Sequence, residues 1–151
     1  KEKKKNDFEK NQDSCIEIKI KEIPCEFIYK NIKFILKYIK KNEIEGLKNI
    51  SKTKKIFLPF NEEELCSDNS IIFRDLKNND KIIFPGFEKG RKTVKKIFQE
   101  KKIGVKERKS FFCIEYKGNI IYCDKLSEHI KFSEISENYL MIDFFYEKNC
   151  F

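Results

Sequence analysis

The feature that most constrains the fold of this chain is a series of short segments with the composition of β-strands. Residues 15–21, CIEIKIK, alternate apolar and charged side chains, which is the pattern of a strand buried on one face. The segment 111–123, FFCIEYKGNIIYC, contains two strand-like stretches around Lys117-Gly118-Asn119 and predicts a hairpin. Other segments rich in β-branched and aromatic residues predict strands at 26–29, 32–39, 54–60, 70–76, 81–84, 130–133 and 139–147.

One segment fits either a strand or a helix. The apolar side chains at 32, 35, 36 and 39 follow a helical period over 31–41, whereas the β-branched and aromatic content of 32–39 favours a strand. We predict the strand and keep the helix as the alternative.

The clearest helix signal lies at 92–102. Val94, Ile97 and Phe98 share one face at the i, i+3, i+4 spacing, and Gly104 is the expected stop. A brief helix is also predicted after Asn61, an N-cap residue followed by three glutamates. With the strands, this predicts an α+β fold in which antiparallel sheets carry a short basic helix.

The predicted helix lies in a segment that carries the excess positive charge. Residues 89–109, here called the basic segment, have a net charge of +8, which equals that of the whole 151-residue chain. Clustered cations of this kind suit nucleic-acid phosphates, whereas the alternative is a solvated helix face in a lysine-rich chain. The charge balance of the remaining sequence favours nucleic acid, without distinguishing DNA from RNA. The basic residues are Lys89, Arg91, Lys92, Lys95, Lys96, Lys101, Lys102, Lys106, Arg108 and Lys109.

Enzyme chemistry has little support in the sequence. The single histidine, His129, has no identifiable nucleophile beside it, and the five glycines form no phosphate-binding loop. The six cysteines contain no C-x-x-C pair, so we expect no zinc site and interpret them as reduced thiols of a cytoplasmic protein. Cys113 and Cys123 are expected to be small buried core residues. No apolar run is long enough to cross a membrane. We therefore expect a binding module with no catalytic and no metal-binding residues.

Residues 57–124 carry an ordered set of short motifs. These are a strand arginine (Arg74), the end of a turn (Asp80), a helix start (Gly90 and Lys92), a Lys-Ile pair (Lys102-Ile103) and a later arginine (Arg108). Their order resembles the C-terminal domain of bacterial tRNA(Ile)-lysidine synthetase, a domain similar in fold to one in the phenylalanyl-tRNA synthetase β chain. The chain departs from the family pattern at Asn79, Thr93 and Gly104, where Gly, Lys and Pro are usual.

The resemblance implies a part in tRNA modification. The family's enzyme is an ATP-dependent ligase that joins lysine to the wobble cytidine of an isoleucine tRNA, in an N-terminal domain with a Ser-Gly-Gly-x-Asp-Ser phosphate motif. That motif is absent here, so ATP and Mg are expected in that other domain, and this chain is expected to hold no cofactor and to be inactive alone. The expected partners are tRNA, on its acceptor side, and the N-terminal catalytic domain of the same polypeptide, but no membrane.

The resemblance also suggests a domain organisation and a set of contacts. We expect 1–13 to be a linker, 14–56 to supply strands that precede or pack on the main domain, and 57–151 to be the tRNA-binding domain. Arg91 and Arg108 are expected to make forked phosphate contacts, whereas Arg74 is expected either to contact RNA or to pair with Asp80 and fix a turn. The rival partners are an acidic protein and, less favoured, an anionic lipid surface. The residues expected to contact RNA are Arg74, Lys89, Arg91, Lys92, Lys95, Lys96, Lys102 and Arg108.

Overall fold

The computed structural model describes residues 15–49, 53–83, 91–124, 127–129 and 136–146. Within these ranges the chain forms antiparallel sheets and a few short helices, which confirms the predicted α+β class. The strands are β1 Cys15–Lys19, β2 Cys25–Tyr29, β3 Ile32–Lys40, β4 Lys54–Phe60, β5 Ser70–Asp75, β6 Lys81–Ile83, β7 Arg91–Thr93, β8 Phe112–Tyr116, β9 Asn119–Cys123, β10 Ser127–His129 and β11 Asn138–Tyr146. The helices are α1 Ile44–Asn49, α2 Glu62–Leu65, α3 Val94–Glu100 and α4 Val105–Arg108.

The chain divides into two compact units. The described residues within 1–17 and 70–131 belong to the first unit, and those within 18–69 and 132–151 belong to the second. The predicted linker 1–13 lies outside the described residues. Both other predicted segments, 14–56 and 57–151, contribute to both units, so the units do not coincide with these segments, whose domain assignment stays a prediction.

The second unit contains a four-stranded antiparallel sheet in the order β2-β3-β11-β4. Phe34 of β3 lies opposite Phe27 and Phe144, and its ring stacks on both at centroid distances of 5.3 Å. Pairing on both sides makes β3 a strand, so the helix alternative over 31–41 is wrong. Lys30 and Asn31 have φ angles of 54° and 63°, and they form the two-residue turn between β2 and β3.

An outer strand of this sheet, β4, contains a proline. It pairs with β11 over Lys54–Phe60, and Pro59 lies opposite Tyr139. Outer strands tolerate proline because the missing N–H need not be replaced there. The Lys55 ammonium lies 3.5 Å from Asp143 on β11, which adds an ion pair across the two strands.

The first unit contains a five-stranded sheet in the order β1-β5-β8-β9-β10, and the predicted hairpin is its β8–β9 pair. Lys117 and Gly118 have φ angles of 54° and 80°, as a two-residue type I′ turn requires. Asn119 begins β9, so the connection is one residue shorter than the predicted Lys117-Gly118-Asn119. The pairing register shifts past Ile121, which makes a bulge in β9.

The helix predicted at 92–102 is shorter than expected at both ends. Residues 91–93 form β7, which pairs with β6, and α3 runs from Val94 to Glu100. Thr93 is the N-cap residue, because its hydroxyl accepts a hydrogen bond from the Lys96 amide at 3.3 Å. Residues 92 and 93 of the predicted helix therefore belong to a strand, because they pair with β6.

Gly104 is not the residue that ends α3, so that expectation is wrong. The chain turns at Lys102, whose φ of 56° is left-handed. The Lys102 amide donates to Gln99 O at 3.2 Å, and the Ile103 amide donates to Phe98 O at 2.9 Å. This is the hydrogen-bond pair of a Schellman motif with lysine in the position that usually holds glycine. Gly104 instead precedes α4.

The apolar face of α3 is buried as predicted. Val94, Ile97 and Phe98 are at most 2% exposed and pack in one cluster with side chains from the strands below. The cluster also contains the thiols of Cys113 and Cys123, so their predicted burial is confirmed. Helix α1 has no counterpart in the sequence predictions, and the strand predicted at 130–133 lies outside the described residues.

Candidate nucleic-acid interface

The described part of the basic segment exposes six lysines: Lys95, Lys96, Lys101, Lys102, Lys106 and Lys109. Across the described residues, the structure shows no ion pair to a carboxylate from the ammonium groups of five of them, Lys95, Lys96, Lys101, Lys102 and Lys106. Lysines that are exposed and not paired can neutralise external phosphates without first breaking an internal contact. This arrangement suits a surface for a polyanion.

Several predicted RNA-binding residues lie apart from the helix or outside the description. Lys89 is outside the described residues, while Arg91 and Lys92 lie in β7 rather than in α3. Lys95 and Lys96 lie in the first turn of α3, and Lys102 lies just beyond its last turn. Their contact with RNA stays a prediction.

A tight turn over residues 77–80 holds the start of α3. The Val94 amide donates to Asp80 O at 2.8 Å, and the Lys95 amide donates to Asn78 O at 3.1 Å. These two amides have no partner inside the helix, so carbonyl groups of the turn satisfy them. The position of the exposed Lys95 thus depends on the geometry of this turn.

Arg74 of β5 fixes the same turn through its guanidinium group. Its Nη1 and Nη2 donate to the two carboxylate oxygens of Asp80 at 2.8 and 3.0 Å, which is a forked pair. Its Nε donates to Glu115 on β8 at 2.9 Å, and Nη1 also donates to Asp75 O at 2.9 Å. Asp80 in turn accepts from the Lys77 amide at 2.7 Å. The alternative role considered for Arg74, pairing with Asp80, is therefore the one seen in this structure.

The charge on Arg74 is stabilised by these contacts. The hydrogen bond to Asp80 is the main cause that raises the pKa of Arg74 above its usual range, although burial acts in the opposite direction. The side chains of Arg74 and Asp80 are only 16% and 12% exposed. Most of the donors of Arg74 thus face protein acceptors, and contact between Arg74 and RNA stays a prediction.

Sequence reasoning missed Glu115 as the second partner of Arg74. Arg74 lies opposite Cys113 in the β5–β8 pairing, so Glu115, two residues along β8, is its diagonal neighbour on the same face. Alternation along a strand tells on which side of the sheet each side chain lies. The partner of Arg74 on the next strand follows only from the register between two strands that are distant in sequence. Glu115 could have been found only with that register in hand.

Arg108 holds the corner between α3 and α4. Its guanidinium carbon lies 5.0 Å from the centre of the Phe98 ring, and its Nε donates to Ile103 O at 3.1 Å. The side chain is half-buried, so it stabilises the corner from which Lys102 and Lys106 project. Its predicted forked contact with phosphate stays a prediction. Val105, which begins α4, is 70% exposed at the same corner.

Two other kinds of site are not seen in the described part of the chain. Its histidine, cysteine and acidic side chains form no group of three or more that could hold a metal ion. None of its helices has both the length and the apolar character needed to cross a membrane.

Comparisons with known proteins identify a fold among solved structures. No protein-family model matches the chain, and no curated protein matches it. A solved structure described as "Crystal structure of TILS C-terminal domain" matches 89% of this chain and 99% of its own, with a TM-score of 0.56 and 14% sequence identity. TilS is the abbreviation of tRNA(Ile)-lysidine synthetase, and at this identity the likeness is one of fold. The sequence resemblance is thus confirmed at the level of structure: this chain has the fold of the TilS C-terminal domain.

Proposed function

We propose that this chain is the tRNA-binding domain of a ligase of the tRNA(Ile)-lysidine synthetase type. It binds the acceptor side of an isoleucine tRNA through the basic segment, while lysine is joined to the wobble cytidine in a separate catalytic domain. ATP and Mg belong to that catalytic domain, which is the second partner of the chain, and the expected compartment is the cytoplasm. The fold likeness supports the choice of family, and the five exposed lysines without ion pairs carry the choice of ligand.

The physical basis is the release of counterions from the RNA backbone. Each ammonium group that neutralises a phosphate frees condensed cations, which gives affinity that falls steeply as salt rises. The hydrogen bonds from the 77–80 turn and the Schellman motif order both ends of α3 before RNA binds. Less ordering free energy is then lost on association than with a disordered basic loop.

The test is charge reversal on α3. The double substitution Lys95→Glu, Lys96→Glu is expected to weaken binding of isoleucine tRNA by tenfold or more. Loss of two phosphate contacts also lowers the slope of log affinity against log salt by roughly 1.5. Fluorescence anisotropy across a salt series measures both quantities.

The matched control changes the same charge elsewhere. Lys37→Glu, Lys54→Glu alters two exposed strand lysines of the second unit, and it is expected to leave affinity and slope nearly unchanged. Equal losses in both variants indicate binding by net charge alone and contradict the proposed site. Unchanged tRNA binding in the α3 variant, together with loss of binding to an acidic protein partner, favours the rival function.

A further inference from the structure

Two free cysteines face each other inside the first unit. Cys113 on β8 lies directly opposite Cys123 on β9, and both are free thiols. The next pair in the same register is Phe112 and Asp124, and the Asp124 amide donates to Phe112 O at 2.9 Å. Hydrogen-bonded and non-hydrogen-bonded pairs alternate along an antiparallel ladder, so the cysteines occupy a non-hydrogen-bonded position.

That position places the two thiols within reach of each other. Directly opposite Cα atoms in such a pair are about 4.5 Å apart, with their side chains closer than in a hydrogen-bonded pair. Disulfides span Cα distances of roughly 4.4 to 6.8 Å, and the usual spacing of a pair in this ladder position falls within that range. The pairing Arg74↔Cys113↔Cys123 runs across three strands of one sheet.

The closed fold protects these thiols. Both side chains are 0% exposed and lie in the apolar cluster beneath α3. Burial raises the pKa of Cys113 to about 12 and raises that of Cys123 as well, whereas the Arg74 cation acts to lower both. The reactive thiolate is therefore scarce until the β8–β9 hairpin opens.

We propose that Cys113 and Cys123 are a reversible redox modification site whose oxidant is a low-molecular-weight disulfide. When the hairpin opens, the thiolate of one cysteine attacks the oxidant and expels one small thiolate. The thiolate of the second cysteine then attacks the mixed disulfide and expels the other, closing the Sγ–Sγ bond. Two electrons pass from the cysteines to the oxidant, and the two thiol protons end on the two released small thiols.

This site is independent of the proposed tRNA function. The simpler interpretation is that the two cysteines are ordinary small core residues, as the sequence predicts. The two interpretations differ in what oxidation does. A redox pair forms a disulfide between Cys113 and Cys123, whereas two cysteines that only fill the core do not. A disulfide here would close a loop across β8 and β9, so the oxidised form should melt at a higher temperature and return to the original value on reduction.

The experiment isolates the pair. In a variant with Cys15→Ser, Cys25→Ser, Cys66→Ser and Cys150→Ser, Cys113 and Cys123 are the remaining cysteines. After incubation with oxidised glutathione in low urea, added to promote opening of the hairpin, the mass is expected to fall by that of two hydrogen atoms. The product should carry no glutathione, remain a single chain and regain both thiols with dithiothreitol. Without urea the same reaction should be many-fold slower.

A fifth substitution, Cys123→Ala, provides the control, because it leaves Cys113 with a mixed disulfide or a free thiol. Peptide mapping of the unsubstituted protein gives a second measurement that does not depend on how well the variants fold. Three results overturn the proposal: two thiols that stay free in urea, a stable glutathione adduct on either cysteine of the pair, or a disulfide between two chains.

Discussion

At the scale of single residues, lysine occupies backbone positions that usually favour glycine. Lys30, Lys102 and Lys117 all have left-handed φ angles between 54° and 56°. An L-residue with a Cβ atom loses roughly 1–2 kcal/mol in this conformation. Lys30 and Lys117 begin tight hairpin turns, whereas Lys102 ends α3 within the proposed RNA surface. The sequence showed the turns but gave no sign that a lysine rather than Gly104 ends the helix.

Replacing Lys102 with glycine is expected to separate stability from binding. Lys102→Gly removes the left-handed strain but adds chain entropy to the unfolded state, for a net gain of about 0.5 kcal/mol in the free energy of unfolding. The same change removes one cation and should weaken tRNA binding. Urea unfolding and anisotropy measure the two effects.

Lys101 is the matched control for Lys102. Its φ of −89° is ordinary, so Lys101→Gly should lower stability while removing the same charge. If both variants change stability in the same direction, the account of strain at Lys102 is wrong.

At the scale of elements, the placement of α3 depends on contacts that are not part of the helix. Its apolar face could be predicted from the spacing of Val94, Ile97 and Phe98, because helical periodicity is local information. Its true start could not, because β7 forms only by pairing with β6. The hydrogen bonds from the start of α3 to the 77–80 turn likewise depend on Arg74, which fixes the turn. Arg74 lies in a strand about twenty residues before the helix.

Removing the guanidinium group of Arg74 should loosen this element. Arg74→Met leaves the carboxylates of Asp80 and Glu115 largely buried without their cation, which should cost about 2–3 kcal/mol of stability. Hydrogen exchange of the Val94 and Lys95 amides should speed up more than exchange in the second unit. Urea unfolding and exchange followed by mass spectrometry test both effects.

A second ion pair supplies the comparison for Arg74. Lys33 lies 2.7 Å from Glu26, whose side chain is 60% exposed. Lys33→Met should cost less than about 1 kcal/mol, because solvent screens exposed pairs. Similar losses in Lys33→Met and Arg74→Met would remove the special role given to Arg74.

At the scale of the whole molecule, the buried thiol of Cys113 and the half-buried phenol of Tyr38 affect how stability responds to alkaline pH. The pKa of Cys113 is raised from 9.0 to about 12 and that of Tyr38 from 10.0 to about 12, in both cases mainly by burial. The folded state therefore retains protons that the unfolded chain releases. The stability that these two groups contribute is fully present below about pH 9 and is lost as pH rises toward 12.

The fall in stability should depend on the thiols. Each buried thiol contributes a slope of up to about 1.4 kcal/mol per pH unit between its unfolded and folded pKa values. Cys113→Ala should start from a lower stability yet lose less of it between about pH 9 and 11. Urea midpoints across that range measure this, and parallel profiles for the two proteins would contradict it.

The class of the molecule followed from sequence more readily than its arrangement. Strand-like alternation, with one helical segment, predicted an α+β fold. The ordered motifs over 57–124 indicated the fold that the structural comparison shows. Each compact unit is built from two segments that are far apart in sequence, and in the second unit β3 pairs with β11. Such long-range pairing leaves no local signal, which is why the sequence did not indicate how residues divide between the two units.

Pro59 in β4 has a consequence for crowded solutions. A foreign strand that approached this outer side of the four-stranded sheet would find no N–H at position 59 and would meet the ammonium group of Lys54. Fibril growth by strand addition needs an unbroken row of donors and acceptors, and here the row is interrupted. The outer side of β4 therefore disfavours aggregation by strand addition, in a chain that contains fifteen phenylalanines.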